Sequence, residues 1–132
     1  MMHQMVKAKN ENDSQKLRSF FSSNFIAHIA GWTETLNLDQ YIKAVEASHK
    51  SFSQLKFTIE DMIVEDDKVF IWKRIEGKHT GEYQGHFPSQ HRVNYYGAIV
   101  RRIHNGKVVE EWQLNDNLSL LRQIGLSVNH II

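Results

Sequence analysis

The spacing of apolar residues changes once along this chain, near Ser53, from intervals of three and four to intervals of two. Before that point, "SQKLRSFFSSNFIAHI" sets Leu17, Phe20, Phe21 and Phe25 near helical spacing. The pattern predicts a helix capped by Asp13 or Ser14 that ends near Ser22 to Asn24. A second helix is predicted over "QYIKAVEASHKSF", where Tyr41, Ile42, Val45 and Phe52 form an apolar stripe and Asp39 stands in the capping position. Between the two, "AGWTETLNL" reads as a loop that covers a neighbouring surface. Residues 1–12 are mostly polar and are expected to be a flexible N-terminus of a single domain spanning 1–132.

After Ser53 the runs "LKFTIEDMIVE" and "KVFIWKRIEGKH" flank Asp66-Asp67, a polar turn between β-branched strands. Their alternation stumbles at Glu60-Asp61, where a bulge fits. "TGEYQGHFPSQH" holds Gly81, Gly85 and the only proline, Pro88, and reads as a long hairpin loop. "RVNYYGAIVRRI" and "KVVEEWQLND" flank Asn105-Gly106, a strong two-residue hairpin signal. A short closing helix over "NLSLLRQIG" stops at Gly125. Helices followed by antiparallel strands give an α+β fold, with the helices packed on one face of a curved sheet.

Composition narrows the function classes. The 132 residues fit one domain with a core of its own. A net charge of +1, from 16 basic and 15 acidic residues, gives no electrostatic footprint for nucleic acid or an acidic membrane. The absence of cysteine excludes disulfides, thiolate catalysis and cysteine-ligated metals. No apolar run approaches membrane-spanning length and the start lacks a signal-peptide core, so a cytoplasmic location is the default. His79, His86 and His91 share a loop without metal-ligand spacing, and His79 is expected to orient that loop. No phosphate loop, nucleophile elbow or glycosidase carboxylate pair is present.

The last strand raises the chemical question. In regular alternation Val108, Glu110, Trp112, Leu114 and Asp116 share a face, which puts two carboxylates among apolar neighbours. The hairpin register sets Arg101 across from Glu110, Ile99 across from Trp112 and Tyr95 across from Asp116. Glu110 is thereby explained as half of an ion pair. Asp116 faces only a phenol, and an apolar setting would raise its pKa into the range of a general acid or base. The competing reading is an N-cap, because Asp116 directly precedes the final helix.

The stretches "VEDDKVFIWKRIEGKHTGEYQGHFP" and "RVNYYGAIVRRIHNGKVVEEWQLNDNLSLLRQIG" resemble the SnoaL-like polyketide cyclase, or ester cyclase, family of the NTF2-like superfamily. The resemblance runs from about Phe25 to Gly125. It implies a cone-shaped α+β barrel with an apolar cavity, a homodimer packed through the outer sheet face, and an intramolecular aldol closure that requires no cofactor. By motif the family's acid/base aspartate falls on Asp116, four residues after Trp112, and a commonly found histidine falls on His28. Where cyclases of this family carry a histidine on the preceding strand, this chain has Arg102, with His104 displaced toward the turn. The implied pocket is walled by Trp112, Leu114, Trp72 and Trp32, with Tyr95 or Asn115 supplying a hydrogen bond to a small apolar carbonyl ligand. Two other readings share the fold: a non-catalytic module binding a hydrophobic ligand, and a dimeric interaction protein.

Overall fold

The computed structural model describes residues 1–126. Two short helices, α1 (Met2–Asn10) and α2 (Ser14–Arg18), lead into strand β1 (Phe21–Ile29), a two-residue strand β2 (Leu36–Asn37) and helix α3 (Leu38–Ser51). Four long strands follow: β3 (Phe52–Glu65), β4 (Lys68–His79), β5 (Arg92–His104) and β6 (Lys107–Asn115). Helix α4 (Asn117–Gln123) closes the described chain. The strands form one sheet in the order β2-β1-β6-β5-β4-β3, antiparallel except where β1 runs parallel to β6. The expected α+β architecture is therefore observed, with α1 and α3 packed against β3 and β1.

Two expectations at the start of the chain are corrected. Residues 2–10 are not a loose polar tail: Met2, Met5 and Ala8 recur on one side of α1 and are buried in the main core. Asn10 ties the end of that helix to β3, donating through Nδ2 to the Phe57 carbonyl at 3.0 Å and accepting from its N–H at 2.7 Å. His49 of α3 adds a 2.7 Å bond to the Lys9 carbonyl. The helix from Asp13 stops at Arg18, and Phe21 to Ile29 is a strand. Asp13 caps α2 as expected. Phe21 and Phe25 point inward four residues apart, an even interval that keeps both on one face of a strand. That interval imitates a helical period. Contacts with Tyr41, centred 5.3 and 5.2 Å from the two rings, hold the strand form.

The cap of α3 is Asn37, in a reciprocal pair with Gln40, while Asp39 lies in the first turn and pairs with Arg18 at 2.6 Å. Phe52 begins β3, where it is buried. The expected irregularity near Glu60-Asp61 is present as a register shift between Ile59 and Asp61. Asn105 and Gly106 both have positive φ, 50° and 75°, as a primed hairpin turn demands. His79 is buried and its Nδ1 accepts from the Ser89 N–H at 3.1 Å, which anchors the loop after β4. The burial of α1 is testable: Met5→Ala should cost about 2–5 kcal/mol in chemical denaturation. A tail without tertiary packing would show no change.

Candidate functional site

The β5–β6 register decides which side chains reach the interior. His104 faces Lys107 and Ile103 faces Val108, but the next pair is Arg102 with Glu110, so Val109 is an extra residue on β6. A one-residue slip turns every later side chain to the other face of the sheet. The pairs expected at Arg101–Glu110, Ile99–Trp112 and Tyr95–Asp116 are corrected to Arg101–Glu111, Val100–Trp112 and, by the Asp116 N–H to Tyr96 carbonyl bond, Tyr96–Asp116. Glu111, Gln113 and Asn115 face inward. Glu110, Trp112 and Leu114 face outward.

Glu111 is fully buried and Arg101 is 3% exposed, with Nε donating to Oε1 at 2.7 Å. Gln113 Nε2 donates to Glu111 Oε2 at 2.8 Å, and the Tyr41 hydroxyl lies 3.4 Å from Oε1. Burial pushes the Glu111 carboxyl up, but the Arg101 guanidinium, then the Lys9 ammonium, outweigh it and hold the group below its ordinary range. The pair is thus an ionised, hydrogen-bonded unit, the form in which an interior charge is tolerated.

Above this unit the sheet bounds a cavity of about 420 Å³. Its apolar walls come from Val45 of α3, Phe52, Leu55 and Phe57 of β3, and Ile75 of β4. Its floor is polar. Lys73 on β4 pairs across with Gly97, and Gly97 with Asn115, so the three form one row on the inner face. A β-carbon on Gly97 would overlap Asn115 Oδ1 and stand 3.0 Å from Lys73 Cε. Glycine is needed there for space, and it lets the two longer side chains converge above it. Lys73 Nζ donates to Gln113 Oε1 at 3.0 Å, and Asn115 Nδ2 donates to the same oxygen at 3.0 Å. Asn115 Oδ1 is buried with no partner among the described residues.

Two lysines face this space with little compensation. Lys73 is 4% exposed and Lys9 is 7% exposed. Burial, reinforced by the neighbouring Lys9 charge, lowers Lys73 well below the ordinary lysine range. Burial likewise lowers Lys9 from 10.5 to about 8. Tyr95, also lining the cavity, has its phenol pushed up by burial and stays protonated as a donor.

The expected site residues divide between the two faces. Tyr95, Asn115 and Trp32 line the cavity, Trp32 at its exposed rim. Trp112, Leu114 and Trp72 do not line it. Leu114 is 62% exposed, and Trp72 stacks on Tyr96 at 5.5 Å on the outer face. His28 is on β1 and also faces outward, bonded to Glu110 Oε2 at 2.7 Å and stacked on Trp112 at 5.3 Å. Glu110 pairs further with Arg102. The expectation that Asp116 lies in an apolar chamber is corrected: it is exposed and caps α4, accepting from the Ser119 N–H at 3.0 Å. Sequence reasoning missed Lys9, Lys73, Arg101 and Glu111. Lys73 was legible in principle, because it alternates inward with Ile71 and Ile75 in β4.

Because Lys9 titrates lower folded than unfolded, the folded chain binds fewer protons between about pH 8 and 10.5, and stability should climb with pH across that window. Lys9→Met is expected to lessen that climb, leaving the part that Lys73 contributes in the same direction, and to raise the melting temperature at pH 7, since an apolar side chain carries no burial cost for charge. Thermal melts of both proteins at pH 7, 8.5 and 10 check it.

The comparisons with known proteins agree with this architecture. The model of the SnoaL-like polyketide cyclase family matches residues 1–124. No curated protein matches. AclR, a candidate hydroxylase from Streptomyces galilaeus, superposes with a TM-score of 0.85 at 25% identity, covering 94% of this chain and 92% of its own. IdmH, a candidate polyketide cyclase from Streptomyces antibioticus, gives 0.84 at 21% identity, covering 95% and 96%. A protein of ketosteroid isomerase-like fold from Catenulispora acidiphila, crystallised with trimethylamine, gives 0.79 at 15% identity, covering 97% and 94%. The helices, the curved six-stranded sheet and the family match over nearly the whole length have one reading: this chain belongs to the SnoaL-like polyketide cyclase family, with an NTF2-like fold.

Proposed function

We propose that the chain is an acid/base enzyme acting on a small, mostly apolar carbonyl compound inside the cone, and that the cavity floor supplies the working groups. The observation that carries this reading is the apolar cavity ending on Lys73, a buried amine whose hydrogen-bond partner is a neutral amide. Burial lowers Lys73 well below the ordinary lysine range, which favours the neutral amine, the form that acts as a base. It takes a proton from the carbon beside the carbonyl and becomes an ammonium, while the C–H electron pair moves to the carbonyl oxygen. Tyr95, which lines the same cavity, donates to that oxygen in this reading as its charge grows. The electrons stay within the substrate, so this step needs no cofactor. The nature of IdmH as a candidate polyketide cyclase fits an enolate of this kind, which can close a ring by attacking a second carbonyl.

This assignment moves the acid/base role expected at Asp116 and His28 to Lys73. A second reading, a binding module without turnover, is favoured by the engagement of Asp116 as a helix cap. The two separate by experiment. With phenylacetone in deuterium oxide, wild-type protein should accelerate exchange of the α-protons seen by NMR. Lys73→Met should lose that acceleration by at least about 100-fold, in keeping with removal of a general base. Asp116→Asn, which still caps, should keep it within about twofold. An Asp116 variant that loses exchange, or a Lys73 variant that keeps it, overturns the assignment.

We further propose a homodimer through the outer sheet face, where Trp72, Ala98 and Leu114 form a cross-strand row beside Tyr96. The exposure of Trp72, Tyr96 and Leu114 supports it, since monomers seldom leave such contiguous apolar surface in water. Light scattering should give a dimer for the wild type and a monomer for Leu114→Arg.

A further inference from the structure

The proton transfer described above uses Lys73 and Tyr95 and leaves Lys9 without a task. Its side chain reaches into the cavity from the last turn of α1. Among the described residues its ammonium has no hydrogen bond and no ion pair; it lies 4.2 Å from the centre of the Phe57 ring and 5.9 Å from that of Tyr41. The charged and titratable groups around it are Tyr41 from α3, Lys73 from β4, Arg101 from β5 and Glu111 from β6. Glu111 is the carboxylate of this set, and Arg101 and Gln113 already engage it. Arg101 and Glu111 cancel as a bonded pair, Lys73 has its own bond to Gln113, and the charge of Lys9 is left over among the described residues. An uncompensated interior ion costs several kcal/mol. Contacts with ring faces return only a fraction of that.

We infer that the ligand of this cavity carries its own anionic oxygen group, a carboxylate on an apolar body, which pairs with the Lys9 ammonium at the buried end while the body lies against Val45, Phe52, Leu55 and Ile75. The inference rests on the reading of the cavity as a small-molecule site and adds the charge of the ligand to it. The geometry is one-sided in the required way. The apolar walls lead to a cation that no carboxylate among the described residues pairs with, and the cavity volume is sufficient for an aromatic ring with a short acidic chain. The same ammonium, charged at neutral pH with its pKa near 8, becomes more basic once paired, so binding draws in protons where the free protein has begun to lose them.

Phenylacetate and phenylacetamide, alike in shape and different in charge, test this by titration calorimetry at pH 7. Phenylacetate should bind at least about tenfold more tightly, the value of one charge-assisted contact. Lys9→Met and Lys9→Gln should bind the two ligands alike, with far-UV circular dichroism unchanged and, for the methionine variant, a melting temperature no lower than wild type. At pH 8, repeating the phenylacetate titration in buffers of different ionisation enthalpy should show proton uptake in the wild type and none in Lys9→Met. Equal affinity for the two ligands in the wild type, or a preference that survives in both variants, overturns the anion site. If phenylacetone exchange persists in that case, the cavity reading stands without it. If neither ligand binds and no exchange occurs, both fall together.

Discussion

The interior of this protein is organised by one buried ion pair, Arg101 with Glu111. Two ions of opposite charge, both nearly inaccessible to water, are stable only as a close and hydrogen-bonded unit, and the neighbouring Gln113 and Tyr41 complete it. Gln113 then extends the unit to Lys73 and Asn115 through its carbonyl oxygen. Every polar group of the cavity floor on β4 and β6 is therefore positioned, directly or at one remove, by the charge pair below it. Removing either partner would leave its mate an isolated ion and would release the amide that orients the lysine.

That network exists because β6 carries one residue more than β5 across from it. Without the bulge at Val109, Glu110 and Trp112 would face the core while Glu111 and Gln113 faced water. With it, the sheet sorts two clusters to opposite faces. Inside lie Lys73, Arg101, Glu111, Gln113 and Asn115. Outside lie His28, Arg102, Glu110 and Trp112, joined by an ion pair, a 2.7 Å bond between His28 and Glu110, a ring stack and the Arg102 guanidinium 5.5 Å over Trp112. The outer cluster has the residue types of an active site, but its place is on the half-exposed back of the sheet.

The two cavity lysines run against stability. Each loses hydration on folding, and among the described residues neither recovers it through a carboxylate of its own, so the fold carries them at a cost that an apolar side chain would avoid. Sites held in that condition are characteristic of function, where a group is useful because its surroundings do not satisfy it. The unpartnered Asn115 Oδ1 and the small Gly97 beneath it belong to the same description: the floor has been kept open and under-bonded.

The sequence by itself determined the strand half of this fold, its turns and its family. Asn105-Gly106 allows positive φ at both turn positions, Asp66-Asp67 breaks two β-branched runs, and alternation marks β4 without ambiguity; all are local properties of backbone and burial. It also named Tyr95, Asn115 and Trp32 for the cavity. What only the tertiary structure decided were the three places where local pattern and global packing diverge. Residues 2–10 look polar because a helix with one narrow buried side needs few apolar residues. Phe21 and Phe25 look helical because an interval of four fits one face of a strand as well as one turn of a helix. Glu111 looks exposed, and Asp116 enclosed, because period-two counting continues past an inserted residue that leaves no mark in composition. The working face of β6 depends on which neighbour accepts each backbone N–H, and that is a property of two strands together, absent from either one read alone.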